Sequence, residues 1–163
     1  MLGPITAKLT FTTSAPLSAT WQAFATPERW PEVLPDLAAV RVEPDGTLTP
    51  GAVIKTIAKP DRNIIDISYQ VIAAEPERWL AIQSSAEGYR ADTRYEFVPV
   101  NEAEHALGTR VTASATITAE RIRGRFISVV WRSKLVEQVE RAVRRRTTAL
   151  IELAEKIAGV DEP

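Results

Sequence analysis

The chain has 163 residues, of which 45% are apolar and 25% charged, and its 20 basic and 21 acidic side chains leave a formal net charge of -1. This balance is typical of one soluble globular domain with a hydrophobic core, and it offers no strong field to attract nucleic acid or an anionic membrane. The absence of cysteine excludes disulfides, thiolate metal sites and cysteine nucleophiles.

The chain start shows no targeting signal. Met1–Ala7 lacks a charged segment followed by an apolar one, and no window of the sequence approaches the roughly 18 consecutive apolar residues of a membrane span. We therefore expect a cytoplasmic protein that is neither exported nor inserted in a membrane. Residues 1–163 are expected to form one domain, with residues 160–163 frayed.

The first part of the chain predicts one strand and two short helices. Ile5–Thr13 alternates apolar and polar residues, as a half-buried strand does. Leu17, Trp21 and Phe24 follow at helical spacing, and the first helix is expected to end near Ala25. A second short helix follows and is stopped by a proline.

From residue 37 to residue 119 the pattern has period two, with turn residues at intervals. Consecutive strands with short turns predict an antiparallel meander. The expected strands are one around Val40 and Val42, then Gly51–Ala58, Ile64–Ala73, Trp79–Ser85, Tyr89–Pro99 and Thr109–Ala119. A polar loop, Asn101–Gly108, joins the last two strands.

The last predicted element is a long helix from about Arg125 to Ala158. Its apolar residues recur at intervals of three and four, and no proline interrupts them. They are Phe126, Val129, Val136, Val139, Val143, Leu150, Ala154 and Ile157. Because this is the only long amphipathic element, it should cover the apolar face of the sheet, and a mismatch between the two curvatures would leave a cavity.

The long helix is expected to serve two purposes. Val136–Ile157 should close the core, and Phe126–Trp131 should sit at the rim of the cavity. A bend or a change of burial is expected near Trp131–Lys134, where Ser133 interrupts the apolar stripe.

Three groups of residues stand out in this order of elements. They are Thr20, Trp21, Phe24, Thr26, Pro27, Glu28, Trp30 and Pro31 in the short helices, Gly46 and Gly51 around a turn, and Gly108, Thr109, Arg110 and Val111 at the start of the last strand. Together with the element order, they resemble the START/Bet v 1-like (SRPBCC) helix-grip superfamily, in particular its polyketide cyclase/dehydrase and lipid-transport-like branch. The resemblance extends from Ile5 to about Ile157.

The resemblance implies an α+β helix-grip fold. A seven-stranded antiparallel sheet is expected to wrap around the long C-terminal helix, with the two short helices between the first and second strands. Similar proteins bind hydrophobic or amphipathic small molecules between sheet and helix, and only some of them catalyse a reaction. The resemblance therefore indicates a fold and a kind of cavity rather than an activity.

Hydrophobic alternation assigns the two faces of the sheet. The inward side chains of the strands include no carboxylate, histidine or lysine, so no general acid or base is expected among them. Two of them, Tyr69 and Tyr95, either orient a polar group of a ligand or are core aromatics whose hydroxyls bond to backbone or water. The predicted ligand-binding residues are Ile67, Tyr69, Ile82, Ser84, Tyr95, Phe97, Ala113, Phe126, Val130 and Trp131.

The tryptophans and the apolar front of the long helix allow more than one interpretation. Trp21 and Trp30 are interpreted as anchors of the short helices, whereas Trp131 fits an anchor or the cavity mouth equally well. The front of the helix could close over a ligand entrance, contact a second copy or lie on a membrane surface.

Two further polar features are assigned to the surface. Arg144–Arg146 looks like a basic run but is interpreted as a solvated face, because helical geometry points the three side chains in different directions. His105 in its polar loop has no second histidine or cysteine to help it bind a metal. We expect neither a metal site nor a cofactor.

The favoured function is a non-enzymatic carrier or sensor of a hydrophobic or amphipathic, lipid-like or polyketide-like molecule. The first alternative is an enzyme of the polyketide cyclase, dehydrase or aromatase type, which needs polar cavity groups such as Tyr69, Tyr95 and Ser84, or Asp92 and Arg94 if the strand register is shifted by one residue. The second alternative is a protein-interaction module. The expected partner is the ligand, without nucleic acid or stable membrane insertion, and the chain is expected to be a monomer or homodimer.

Overall fold

The structure is a computed structural model, and it describes residues 3–44, 48–59, 64–86, 88–102, 106–119 and 129–159. Within these ranges the chain forms seven strands and three helices. The strands are β1 (Ile5–Thr13), β2 (Leu37–Glu43), β3 (Val53–Ala58), β4 (Ile65–Glu75), β5 (Trp79–Ala86), β6 (Tyr89–Glu102) and β7 (Ala106–Ala119). The helices are α1 (Leu17–Ala25), a 3-10 helix (Pro27–Glu32) and α2 (Val129–Ile157).

The strands form one antiparallel sheet in the order β1-β7-β6-β5-β4-β3-β2. Strands β2 to β7 are neighbours in chain order, as the short turns predict, and β1 closes the other edge by pairing with β7. The short helices connect β1 to β2, and α2 packs against the concave face of the sheet. The expected α+β helix-grip fold is confirmed.

The predicted strand faces are also confirmed. The concave face buries apolar side chains such as Val71, Leu80 and Val111, each at most 1% exposed. The opposite face carries ion pairs, such as the bond from Arg94 to Glu96 at 2.9 Å, together with exposed apolar side chains such as Ile72 and Val98. Period-two alternation therefore settles the register, because a slip of one residue would exchange the two faces.

Several strand ends differ from the expectation. The predicted loop Asn101–Gly108 is shorter, because β6 continues to Glu102 and β7 begins at Ala106. The pairing of β6 with β7 extends to Glu102 and Ala106, and it overrides the turn preference of the polar residues. His105 and Gly46 lie outside the described residues.

One end of the concave face is filled, and we call it the packed end. It comprises Phe24 and Trp30 of the short helices, Leu80, Phe97 and Val111 of the sheet, and Leu150 and Leu153 of α2. The Trp30 indole N–H donates to the Ala23 carbonyl at 3.1 Å, and the Trp21 ring lies edge-on to Phe97. The anchoring role predicted for these two tryptophans is confirmed.

Chain segments far apart in sequence meet beside the packed end. The Thr109 hydroxyl donates to the Ala15 carbonyl at 2.9 Å, and the Thr13 hydroxyl donates to Glu155 at 3.0 Å. A Cβ atom at Gly108 would stand 2.4 Å from the Thr13 carbonyl oxygen, so only glycine fits there. Gly108 and Thr109, two of the residues that carry the family resemblance, therefore join β7 to the segment between β1 and α1.

Helix α2 has the apolar stripe that its sequence predicts. Val139, Val143, Leu150 and Ala154 are buried. The helix is described from Val129, so the expected start at Arg125 and the side chains near the expected change at Trp131 lie outside the described part of the chain. In that part, no helix is long and apolar enough to cross a membrane.

Candidate functional site

The other end of the concave face is not filled, and we call it the hollow end. A cavity of about 430 Å³ lies there between the sheet and α2, within the range typical of ligand sites. Its wall is mostly apolar. The lining residues include Ile65, Ile67, Tyr69, Ser84, Ala91, Thr93, Tyr95, Ala115 and Ile117 from the sheet, and Val139, Ala142, Val143, Arg145 and Arg146 from α2.

The strands run from the hollow end into the packed end. Along β4, Ile67 and Tyr69 line the cavity, whereas Val71, the next residue on the same face, is buried in the core. Along β7, Ala115 lines the cavity and Val111 lies in the packed core. Both strands therefore cross a boundary between solid core and cavity at the level of Tyr69.

Two tyrosines and an arginine form the floor of the cavity, at this boundary. The Arg146 guanidinium donates from Nη2 to the Tyr69 hydroxyl at 2.8 Å and lies 5.2 Å from the centre of that ring. It also interacts with the hydroxyl of Tyr95, whose ring packs edge-on against Phe24 at 4.8 Å. The three polar groups thus converge on one point beneath an apolar wall.

The electrostatics of this floor follow from burial. Burial raises the pKa of the Tyr95 hydroxyl, against a weaker lowering by Arg146, so the phenol keeps its proton. For Arg146, burial acts to lower the pKa, but the nearby Tyr69 and Tyr95 raise it and the net direction is upward. The floor therefore presents a permanent cation, Arg146, and the protonated hydroxyl of Tyr95.

A second pair of charges lies at the side of the cavity. Arg145 donates to the Asp36 carboxylate, which tethers α2 to the segment before β2. Both side chains are largely exposed, so this ion pair adds little stability.

The structure divides the predicted ligand-binding residues into three groups. Ile67, Tyr69, Ser84 and Tyr95 line the cavity. Ile82, Phe97 and Ala113 are at most 4% exposed and belong to the core, because they lie further along the strands, where larger side chains fill the space. Phe126 and the side chains of Val130 and Trp131 lie outside the described part of the chain. Ligand binding by any of these residues stays a prediction.

The interpretation of Arg144–Arg146 as a solvated face is wrong for Arg146. The three side chains do diverge: Arg144 reaches over the Phe11 ring, Arg145 pairs with Asp36, and Arg146 turns into the cavity. Hydrophobic assignment of the strands could not show this, since the cation comes from the helix.

A signal for Arg146 is nevertheless present in the sequence. The apolar stripe of α2 passes through Val139, Val143 and Leu150. Residue 146 belongs to this stripe, because it lies three residues after Val143 and four before Leu150. An arginine at a stripe position is expected to face the core. That position distinguishes Arg146 from the arginines beside it.

Asp92 and Arg94, the enzyme candidates of a register shifted by one residue, lie on the other face of the sheet. Asp92 bonds to Gln83 and Arg90, and Arg94 lies over the Trp79 ring. Among the described residues, no cluster of three histidine, aspartate or glutamate side chains could hold a metal ion.

Comparison with solved structures gives matches over nearly the whole chain. The Zhui aromatase/cyclase from Streptomyces sp. R1128 has a TM-score of 0.74 at 15% identity, over 99% of this chain and all of that one. Ara h 8.0201 has a TM-score of 0.73 at 14% identity, over 94% and 99%. A START superfamily protein from Mycobacterium smegmatis has a TM-score of 0.71 at 10% identity, over 95% and 99%.

These likenesses show that the chain has the START/Bet v 1-like, SRPBCC-type fold, as its sequence predicts. At such low identity they show the fold alone. No protein-family model matches the sequence, and no curated protein is significantly similar to it.

Proposed function

We propose that the protein is a non-enzymatic cytoplasmic carrier or sensor that binds a hydrophobic or amphipathic small molecule between its sheet and α2. The observation that carries this proposal is the cavity of about 430 Å³ with its mostly apolar wall. Protein interiors are normally close-packed, so a hollow of this size beside a fully packed region indicates space for a ligand. A neighbour in fold that is named START superfamily protein is consistent with ligand binding, whereas a neighbour named aromatase/cyclase is equally consistent with the enzyme alternative.

A cyclase-type enzyme is the second candidate, because Tyr69, Tyr95 and Arg146 supply polar groups at the cavity. A guanidinium and neutral phenols can stabilise a developing oxyanion. Proton abstraction, however, needs a base, and the carboxylate at the cavity wall, Asp36, is held by Arg145. Binding therefore explains the site with fewer additional requirements than catalysis does.

An interaction module would have been favoured by a filled interior. The cavity argues against that interpretation, although the apolar front of the long helix lies outside the described residues.

The test places a tryptophan on the face of β4 that lines the cavity and compares its effect on ligand binding with that of a tryptophan on the opposite face of the same strand. Ile67 lines the cavity, whereas Ile72 on the same strand is 47% exposed. We expect the unaltered protein to bind the neutral fluorescent probe N-phenyl-1-naphthylamine. Ile67→Trp should weaken binding at least tenfold by filling the space, and Ile72→Trp should leave it unchanged.

Titration of probe fluorescence measures both variants, and thermal unfolding confirms that each is folded. Absence of probe binding by the unaltered protein, or an equal loss in the two variants, would overturn the proposal. Mass spectrometry of an organic extract of the purified protein then shows which molecule is carried.

A further inference from the structure

The floor of the cavity holds a cation, Arg146, that has no anionic partner among the residues that the structure describes. Among the described residues, no carboxylate forms an ion pair with Arg146, which donates to the Tyr69 hydroxyl and interacts with the Tyr95 hydroxyl. Its neighbour Arg145, by contrast, is bonded to Asp36. The difference matters because Arg146 is half-buried beside apolar groups, whereas Arg145 is exposed.

An unpaired charge in such a place is costly. A guanidinium does not lose its proton in proteins, so burial cannot neutralise it, and the phenols beside it orient the cation without compensating its charge. An apolar side chain at position 146 would fill the stripe of α2 without this cost. The arrangement is instead complementary to an anion inside the cavity.

The two ends of the cavity differ in their lining residues. Arg146, Tyr69 and Tyr95 lie next to the packed end, while the opposite end includes Ile65, which is 43% exposed, and the ion pair between Arg145 and Asp36, whose charges compensate each other. A molecule with an acidic group at one end and an apolar body matches this order. Its head would lie on the floor and its body would extend toward Ile65.

We propose that Arg146, Tyr69 and Tyr95 form a carboxylate-binding site and that the ligand of this protein is an amphipathic acid. This inference rests on the proposed function, since it names the class of ligand for the same cavity. Arg146 has five N–H donors, of which one is given to Tyr69 and one is directed at Tyr95, so two of the other three can bind both oxygens of a carboxylate. The Tyr69 hydroxyl accepts from Arg146 and can donate its own proton to the same anion.

The experiment compares two competitors that differ only in the head group, decanoate and decan-1-ol, in displacing N-phenyl-1-naphthylamine near neutral pH. We expect the unaltered protein to bind decanoate at least tenfold more tightly than decan-1-ol, because a charge-assisted bidentate contact is available only to the acid. Arg146→Met should reduce this ratio to about one without weakening decan-1-ol. Arg146→Lys should retain part of the preference, since lysine keeps the positive charge but lacks the two parallel N–H donors of the guanidinium group.

Arg144→Met is the matched control, because Arg144 is exposed on the same helix and its replacement removes the same charge from the surface. Its ratio should equal that of the unaltered protein. An equal loss in both variants would overturn the proposal by showing a general effect of charge.

The unaltered protein alone decides the proposal if Arg146→Met does not fold. Equal affinity for decanoate and decan-1-ol would overturn the carboxylate site while leaving the cavity as a neutral binding site. Failure to bind the probe and both competitors would overturn the proposed function itself. The two failures are therefore distinguishable.

Discussion

The packed end and the hollow end lie on the same sheet and under the same helix, yet only one of them is solid. At the packed end, α1 and the 3-10 helix insert Phe24 and Trp30 between the sheet and α2. At the hollow end, the facing positions carry small side chains, among them Ala91, Ala115 and Ala142. The comparison teaches that this cavity results from side-chain size and from the limited reach of the short helices.

The largest expected effect tests this division along α2. Leu150 is fully buried at the packed end, and Val143 lines the cavity two turns earlier. Leu150→Ala should reduce the free energy of unfolding by about 2–5 kcal/mol, because it opens a new void in a solid core. Val143→Ala should cost only about 1 kcal/mol, because it enlarges a void that already exists.

Urea denaturation measures both changes. Equal losses would show that the concave face is not divided in this way. The sequence alone predicts that Val143 belongs with Leu150, whereas the structure places the division between them.

The next effect concerns buried hydroxyls. Thr109→Val should cost about 1–3 kcal/mol, because the buried Ala15 carbonyl loses its donor at 2.9 Å and keeps only the Thr20 hydroxyl at 3.4 Å. Thr93→Val, the same substitution in the cavity wall, should change stability by no more than about 0.5 kcal/mol. A comparable loss in the two variants, measured by thermal or urea unfolding, would contradict the distinction.

The smallest effect is a dependence on pH at the boundary between the two ends. Burial raises the pKa of the Tyr95 hydroxyl. The folded protein therefore keeps a proton that the unfolded chain releases at about pH 10, the usual pKa of a free tyrosine. This contribution to stability is present below that pH and is lost as the pH rises through the higher folded-state pKa. Unfolding at increasing alkaline pH should therefore become easier, and Tyr95→Phe should flatten the dependence. An unchanged slope in the variant would show that other groups cause it.

The fold could be predicted largely from local pattern. Alternation in Ile5–Thr13 and in the later strands defines faces and register, and Gly108 marks a close approach of two backbones. The site was predicted only in part. Tyr69 was identified because strand alternation assigns it to a face, but Arg146 was missed because hydrophobicity assigns charged residues to solvent.

The sequence by itself determined which residues form strands, which side chains face the core, and that a long helix covers the sheet, because these follow from periodicities of two and of three to four. The tertiary structure decided that β1 pairs with β7 and that the space beneath α2 is filled at one end and empty at the other. It also decided that Arg146 meets Tyr69 there. Such features depend on how segments far apart in sequence approach each other in space, and local sequence periodicity carries no information about these contacts.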